Sequence, residues 1–140
     1  VHEREAHDDL VSILNQVEKK ISEDDITLPP VVIHCFTGSL QEAQVYLSKG
    51  FYIGFTGTIC KKERGEPLRQ ILPHVPLDKI MIETDAPFMS FKKGKHGRHS
   101  EPAHVVGVAE EVARCKNLTL EEVCSVTTQT ALDFFRIHNE

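Results

Sequence analysis

The sequence lacks several features that would point directly to a class of protein. It contains no apolar run approaching the roughly 20 residues needed to cross a bilayer and no signal-peptide pattern. Its four cysteines (Cys35, Cys60, Cys115 and Cys124) form no C-x-x-C pair, and a chain of 140 residues does not need disulfides to fold. We therefore expect reduced thiols, no membrane association and a cytoplasmic location, with the nucleus as the alternative.

An excess of positive charge is also missing. The 16 lysines and arginines are outnumbered by 21 aspartates and glutamates, which gives a formal net charge of −5. This balance excludes a protein that coats nucleic acid by charge alone, but it permits a nuclease, because a local groove or a bound cation can hold phosphate. With 40% apolar and 26% charged residues, the composition predicts one folded domain over residues 1–140.

The apolar pattern predicts an α/β protein with a parallel sheet. Strands are predicted at residues 1–4, 31–33, 51–55 and 79–82. Helices are predicted at residues 6–20, 39–49, 68–72 and 105–114, followed by two more, one that starts at Thr119 and one at residues 128–135. The spacing of about 25 to 30 residues between strands is typical of a TIM barrel or an open doubly wound sheet.

Three residues with metal-binding side chains lie at predicted strand ends: His2, His34 and Asp85. The carboxyl ends of parallel strands meet at one edge, so two imidazoles and a carboxylate can converge there on one divalent cation. Each residue alone is better explained as a hydrogen-bonded histidine or a helix-capping aspartate. Their recurrence at three strand ends favours a metal site.

Several motifs follow one another in a recognisable order. They are His2-Glu3-Arg4, Ala6-His7, residues 32–38 (Val-Ile-His-Cys-Phe-Thr-Gly), residues 52–57 (Tyr-Ile-Gly-Phe-Thr-Gly), residues 82–87 (Ile-Glu-Thr-Asp-Ala-Pro), and Arg98 with Ser100-Glu101-Pro102. Together they resemble the signatures of the TatD-like deoxyribonucleases, a family of the metal-dependent hydrolase superfamily. The resemblance covers essentially the whole chain.

The resemblance implies a partial TIM (β/α)8 barrel, made of strands four to eight with their helices. It implies that His2, His34 and Asp85 are ligands of one or two Mg, Mn or Zn ions, and that Asp85 also orients or deprotonates the attacking water. Arg98 and Glu101 match a further motif and are implied to be catalytic. The implied activity is divalent-metal-dependent hydrolysis of DNA, as a 3′–5′ exonuclease.

The resemblance also implies that part of the site lies outside this chain. The family's ligands on the first and third strands have no counterpart here, and the sequence begins at Val1-His2 without a methionine. We expect the C-terminal half of a barrel, with open strand edges that favour association. The expected partner is the missing N-terminal half or a second copy of the chain.

Two basic clusters follow strand ends and would lie beside the site. They are Lys61, Lys62 and Arg64, and then Lys92, Lys93 and Lys95. They are predicted either to hold DNA phosphates or to be solvated loops.

Four neighbouring residues carry further predictions. Phe88 and Phe91 are expected to cover the barrel mouth rather than to stack on bases. Glu83 is expected either to support the metal site or to fix a neighbouring loop, and Cys35 is expected to be packed rather than catalytic.

Two other functions are compatible with the sequence. A catalytically incomplete fragment would act as a binding or assembly module, and it would lack the ligands that full metal occupancy requires. An amide or ester hydrolase of the same superfamily would use a similar site, although the basic loops favour a phosphate-containing substrate.

Overall fold

The computed structural model describes residues 1–24, 26–91 and 99–137. In chain order the elements are α1 (His7–Glu23), β1 (Val32–Ile33), α2 (Leu40–Ser48), β2 (Tyr52–Phe55), α3 (Glu66–Ile71), β3 (Ile80–Ile82), α4 (Val105–Lys116) and α5 (Leu120–Phe135). Short 3-10 turns separate several of them. The three strands are parallel and lie in the order β1-β2-β3, with Val32 opposite Tyr52 and Ile53 opposite Ile80. The predicted α/β fold with a parallel sheet is confirmed.

The start of the chain runs beside β1. His2 and His34 form an isolated parallel bridge, the His34 N–H donates to the Val1 carbonyl at 2.8 Å, and the Val1 ammonium donates to the Val32 carbonyl at 2.8 Å. At the opposite edge of the sheet β3 pairs with β2 alone, and no strand of the described residues pairs with its outer edge. The last strand implied by the resemblance, near Glu101, is therefore not seen in the described part of the chain.

The core explains why the strands are short β-branched and aromatic runs. Val32, Tyr52 and Met81, on one face of the sheet, are half-buried. Ile33, Ile53, Phe55 and Ile80 have no exposed surface, and the strand register places them together on the opposite face. Helices cover it with their apolar sides, and Tyr46, Val108, Val112 and Val123 are the largest fully buried side chains that they contribute. Burial of this face leaves the strand ends and the opposite face of the sheet to carry polar chemistry.

The predicted start and end of α2 are confirmed. The Ser39 hydroxyl accepts a hydrogen bond from the Glu42 N–H, and the Glu42 carboxylate accepts one from the Ser39 N–H, which forms a capping box. Gly50 follows the helix with φ of +78°, a conformation that favours glycine.

The prediction of two separate helices after residue 118 is wrong, because α5 is continuous from Leu120 to Phe135. Thr119 caps it as predicted. The Thr127 hydroxyl donates to the Val123 carbonyl at 2.7 Å, so this buried polar side chain is satisfied inside the helix. No glycine or proline lies between Leu120 and Phe135 to break the helix.

None of the helices in the described part of the chain combines the length and the apolar character that crossing a bilayer demands.

Candidate metal and substrate site

A hydrogen bond joins the residues that follow the two outer strands. Nδ1 of His34, after β1, lies 2.6 Å from Oε2 of Glu83, after β3. The other Glu83 oxygen, Oε1, accepts the Cys35 N–H at 2.7 Å. Glu83 therefore supports the His34 ring and also fixes the turn after β1. Its support of a metal site stays a prediction.

Gly54 in the central strand makes room for this carboxylate. A Cβ atom at Gly54 would lie 2.7 Å from Glu83 Oε1 and 3.1 Å from the Ile33 carbonyl oxygen. Glu83 thus crosses β2 through space that only a glycine leaves open. A glycine inside a strand is itself a sequence signal of close approach by another group, and this signal could have identified the role of Gly54.

The other nitrogen of His34 faces a second carboxylate. Nε2 lies 3.4 Å from Asp85 Oδ1. The contact with Glu83 places the proton of a neutral His34 ring on Nδ1, so the Nε2 lone pair points toward the Asp85 oxygens. Two acceptors at this separation repel each other unless a proton or a cation lies between them. The arrangement is therefore compatible with a proton or a cation between Nε2 and Asp85.

His2 lies next to this pair but does not complete a set of metal ligands with it. The His2 and His34 ring centroids are 5.6 Å apart, and His2 is exposed. Among residues 1–24, 26–91 and 99–137, no three histidine, cysteine, aspartate or glutamate side chains are arranged to hold a metal ion. The three predicted ligands are thus brought to one edge of the sheet, where His34 and Asp85 are in contact and His2 is the neighbouring imidazole.

The backbone turns sharply at both strand ends. Cys35 and Asp85 have φ values of 51° and 55°, in a left-handed region that costs a non-glycine residue about 1 kcal/mol or more. Such positions often mark functional sites.

Cys35 is packed, as predicted. It is 4% exposed, and its Sγ lies 3.7 Å from the Thr56 hydroxyl. Burial raises the pKa of the Cys35 thiol, which disfavours the nucleophilic thiolate.

An open cleft of about 700 Å³ lies beside His2. Of the first predicted basic cluster, Lys61 and Arg64 line this cleft, whereas Lys62 is not part of its lining. Arg4 adds a third cation, and the glutamates at positions 3, 5 and 42 add negative charge. Lys92, Lys93, Lys95 and Arg98 lie outside the described residues.

Two residues of the loop after β3 differ in their surroundings. Phe91 inserts between two glycines, because a Cβ atom at Gly57 or at Gly107 would lie 2.7 Å or 2.6 Å from its ring. Phe91 is therefore packed, and its covering of a barrel mouth stays a prediction. Phe88 is 69% exposed, so the covering role predicted for it is not seen.

Glu101 contacts the short turn that follows it in the chain. It caps the 3-10 helix Pro102–His104, and its N–H donates to His104 Nδ1 at 3.2 Å. A catalytic role for Glu101 stays a prediction.

A parallel α/β sheet with imidazoles and carboxylates at the carboxyl ends of its strands has the layout of an α/β enzyme. The model of the family described as TatD related DNase matches residues 1–136. The chain therefore belongs to the TatD related DNase family.

Curated relatives agree with this assignment. The chain is 36% identical over 140 residues to the "3'-5' ssDNA/RNA exonuclease TatD" of Edwardsiella piscicida, covering 98% of this chain and 51% of the relative. It is 35% identical over 138 residues to the "Uncharacterized metal-dependent hydrolase YabD" of Bacillus subtilis strain 168, covering 99% and 51%. The chain thus spans about half the length of the curated relatives it matches.

A solved structure shows the same fold. The TatD homologue YJJV of Escherichia coli K12 superimposes with a TM-score of 0.81 at 26% identity, covering 98% of this chain and 49% of that one.

Substitution of Gly54 by alanine tests whether the glycine serves the Glu83 carboxylate. We expect Gly54→Ala to push Glu83 away from His34 and to lower the free energy of unfolding by about 1 to 3 kcal/mol, because two hydrogen bonds to a carboxylate are lost. Urea denaturation measures the change.

A double-mutant cycle with Glu83→Ala provides the control. The shortened side chain removes the collision, so the cost of Gly54→Ala should fall in that background. Equal costs in both backgrounds would contradict the assignment.

Proposed function

We propose that the protein is a divalent-metal-dependent nuclease that degrades DNA as a 3′–5′ exonuclease. The observation that carries the proposal is the His34 ring, whose Nδ1 is held by Glu83 at 2.6 Å while Nε2 faces Asp85 at 3.4 Å. A histidine fixed by a carboxylate on one nitrogen and directed toward an anionic oxygen on the other is suited to metal binding. The relative from Edwardsiella piscicida is named a 3'-5' ssDNA/RNA exonuclease. This name supports a nucleic-acid substrate and adds RNA to DNA as a candidate substrate.

The described residues fit a divalent cation as part of its ligand set. His34 Nε2 and Asp85 Oδ1 would hold it, and His2, whose exposed side chain can change rotamer, would provide a second imidazole. Nitrogen and oxygen ligands suit Mg, Mn or Zn. When bound, the cation would act as a Lewis acid toward the phosphate and would lower the pKa of a nearby water.

Side chains of this protein are proposed to fill the other roles in the reaction. Asp85 would orient the attacking water and accept its proton, and Glu83 would keep the His34 ring in place. Lys61 and Arg64, which line the cleft, would hold phosphates on either side of the bond to be cleaved. Arg98, Glu101 and the second lysine cluster are proposed to assist at the same face.

A nuclease assay on the intact protein tests the proposal. With Mg²⁺ or Mn²⁺ and single-stranded DNA labelled at one end, we expect shortening from the 3′ end. His34→Ala should lower kcat/KM by about 100-fold or more, because it removes a proposed metal ligand.

His74→Ala is the matched control, since this exposed histidine follows α3 away from the strand ends. Activity that survives His34→Ala at the level of the control would contradict the metal assignment.

A second candidate is a nucleic-acid-binding module without turnover. The absence of a three-residue metal-binding group among the described residues favours it. Binding of single-stranded DNA without degradation in the same assay would identify this function.

We also propose that the three-stranded sheet belongs to a partial barrel of strands four to eight and is completed by further strands. The open edge of β3 lies next to an apolar groove, lined by Met81, Ile82, Val105, Ala131, Leu132 and Ile137 among others. Ile137 is 54% exposed. Unpaired edges beside apolar surface favour association. The proposed partner is either the N-terminal half of the barrel or a second copy.

Light scattering on the isolated chain tests this proposal. We expect a mass above the 15.8 kDa of one chain, because the groove and the β3 edge would be covered by a second molecule. Addition of the N-terminal half as a separate polypeptide should replace self-association by a one-to-one complex. A cooperatively folded monomer in the absence of any partner would contradict the proposal.

A further inference from the structure

A single arginine holds the basic loop that follows β2. Arg69, on α3, donates from Nη1 to the carbonyls of Ile59 at 2.7 Å and Lys61 at 2.8 Å, and from Nη2 to the carbonyl of Lys62 at 2.7 Å. Its side chain is only 13% exposed. Most surface arginines extend their charged group into solvent. The Arg69 guanidinium is instead largely enclosed by the groups that it contacts.

We infer that Arg69 is the positioning residue of the substrate-binding loop. By fixing three backbone carbonyls between residues 59 and 62, it sets where Lys61 and Arg64 enter the cleft beside His2. The inference rests on the proposed function, because the ligand that these two cations would hold is the phosphate backbone of a single-stranded nucleic acid.

The chemistry of the contact requires an arginine. A guanidinium carries five N–H donors in a rigid planar fork, whereas a lysine ammonium is a compact point charge on a flexible stem. The fork reaches three carbonyls at once and also pairs with Glu66 Oε2 at 2.6 Å. Glu111 Oε1, on α4, lies 3.6 Å from Arg69 Nε and orients the guanidinium from the other side.

The loop is closed tightly around this guanidinium. A Cβ atom at Gly65 would lie 2.5 Å from the carbonyl oxygens of both Ile59 and Lys61, and 2.6 Å from Arg69 Nη1. The Gly65 N–H donates to the Lys61 carbonyl at 3.0 Å. Gly65 therefore permits the close approach that brings the three carbonyls within reach of one side chain.

A loop fixed before the substrate arrives has a defined consequence for binding. Side chains that are already in place lose less freedom on binding than side chains of a loop that must first become ordered. Release of the loop should therefore weaken binding of a strand that spans Lys61 and Arg64, while the reaction at the His34 end is little changed.

Arg69→Lys tests the inference, because it keeps the positive charge and removes the fork. In the intact protein we expect KM for single-stranded DNA to rise about 10-fold while kcat changes less than about 2-fold. Hydrogen exchange of the amides in residues 60–65 should become faster. The KM for bis(p-nitrophenyl) phosphate, which has no neighbouring phosphates, should be unchanged.

Arg136→Lys is the matched control. It makes the same substitution on an exposed arginine directly after α5, and it leaves the three carbonyl contacts and Glu111 intact. It should alter neither the exchange of residues 60–65 nor the KM for DNA. In a Lys61→Ala, Arg64→Ala background, Arg69→Lys should have no further effect on KM, because the side chains it positions are gone.

Two results would overturn the inference: faster exchange of residues 60–65 with an unchanged KM for DNA, or an equal rise of KM for both substrates.

If the intact protein binds DNA without degrading it, the proposed function fails separately. The dissociation constant for a labelled oligonucleotide then decides the inference, since an increase of about 10-fold for Arg69→Lys supports it and an unchanged value overturns it.

Discussion

A single carboxylate ties together the two outer strands of the sheet at the end where they carry polar residues. Glu83 accepts a hydrogen bond from the His34 ring and another from the backbone after β1, and it does so across the central strand. Two distant parts of the sequence, 49 residues apart, are thereby fixed relative to each other. The direction of His34 Nε2 and the left-handed turn at Cys35 both depend on this contact.

The same contact explains why a small sheet can hold a strained and charged cluster. Left-handed turns at Cys35 and Asp85 and a close approach of acceptors at His34 each cost free energy. The hydrogen bonds of Glu83 and the fully buried strands beneath it offset that cost. Away from the cluster, Arg69 acts on the β2 loop in a similar way, by satisfying several backbone groups with one planar side chain.

Much of the fold could be predicted from the sequence, because its signals are local. The β-branched run before His34, the Ser39 and Glu42 capping box, and Gly50 each determine their own surroundings. The division of α5 into two helices was wrong: no glycine or proline interrupts residues 120–135, and the Thr127 hydroxyl is satisfied one turn earlier at the Val123 carbonyl.

The residues of the candidate site could be predicted from the sequence, but the contacts that hold them in place could not. His2, His34 and Asp85 could be chosen because they end strands, and the structure brings them to one edge. The roles of Gly54 and Arg69 depend on contacts between residues that are distant in the chain or on the path of a loop backbone. A glycine inside a strand signals a close approach at Gly54, but only the folded chain shows which group approaches it and which carbonyls Arg69 contacts.

The central claim is that Glu83 prepares His34 Nε2 to bind a divalent cation. In Glu83→Gln, the amide NH₂ can donate to Nδ1 and move the ring proton to Nε2, where it would block a metal. Titration calorimetry with Mn²⁺ on the intact protein should show an affinity about 10- to 100-fold weaker for Glu83→Gln. Glu63→Gln, which removes the same charge from the exposed β2 loop, should bind like the unaltered protein. Equal affinity for Glu83→Gln and the unaltered protein would contradict the account.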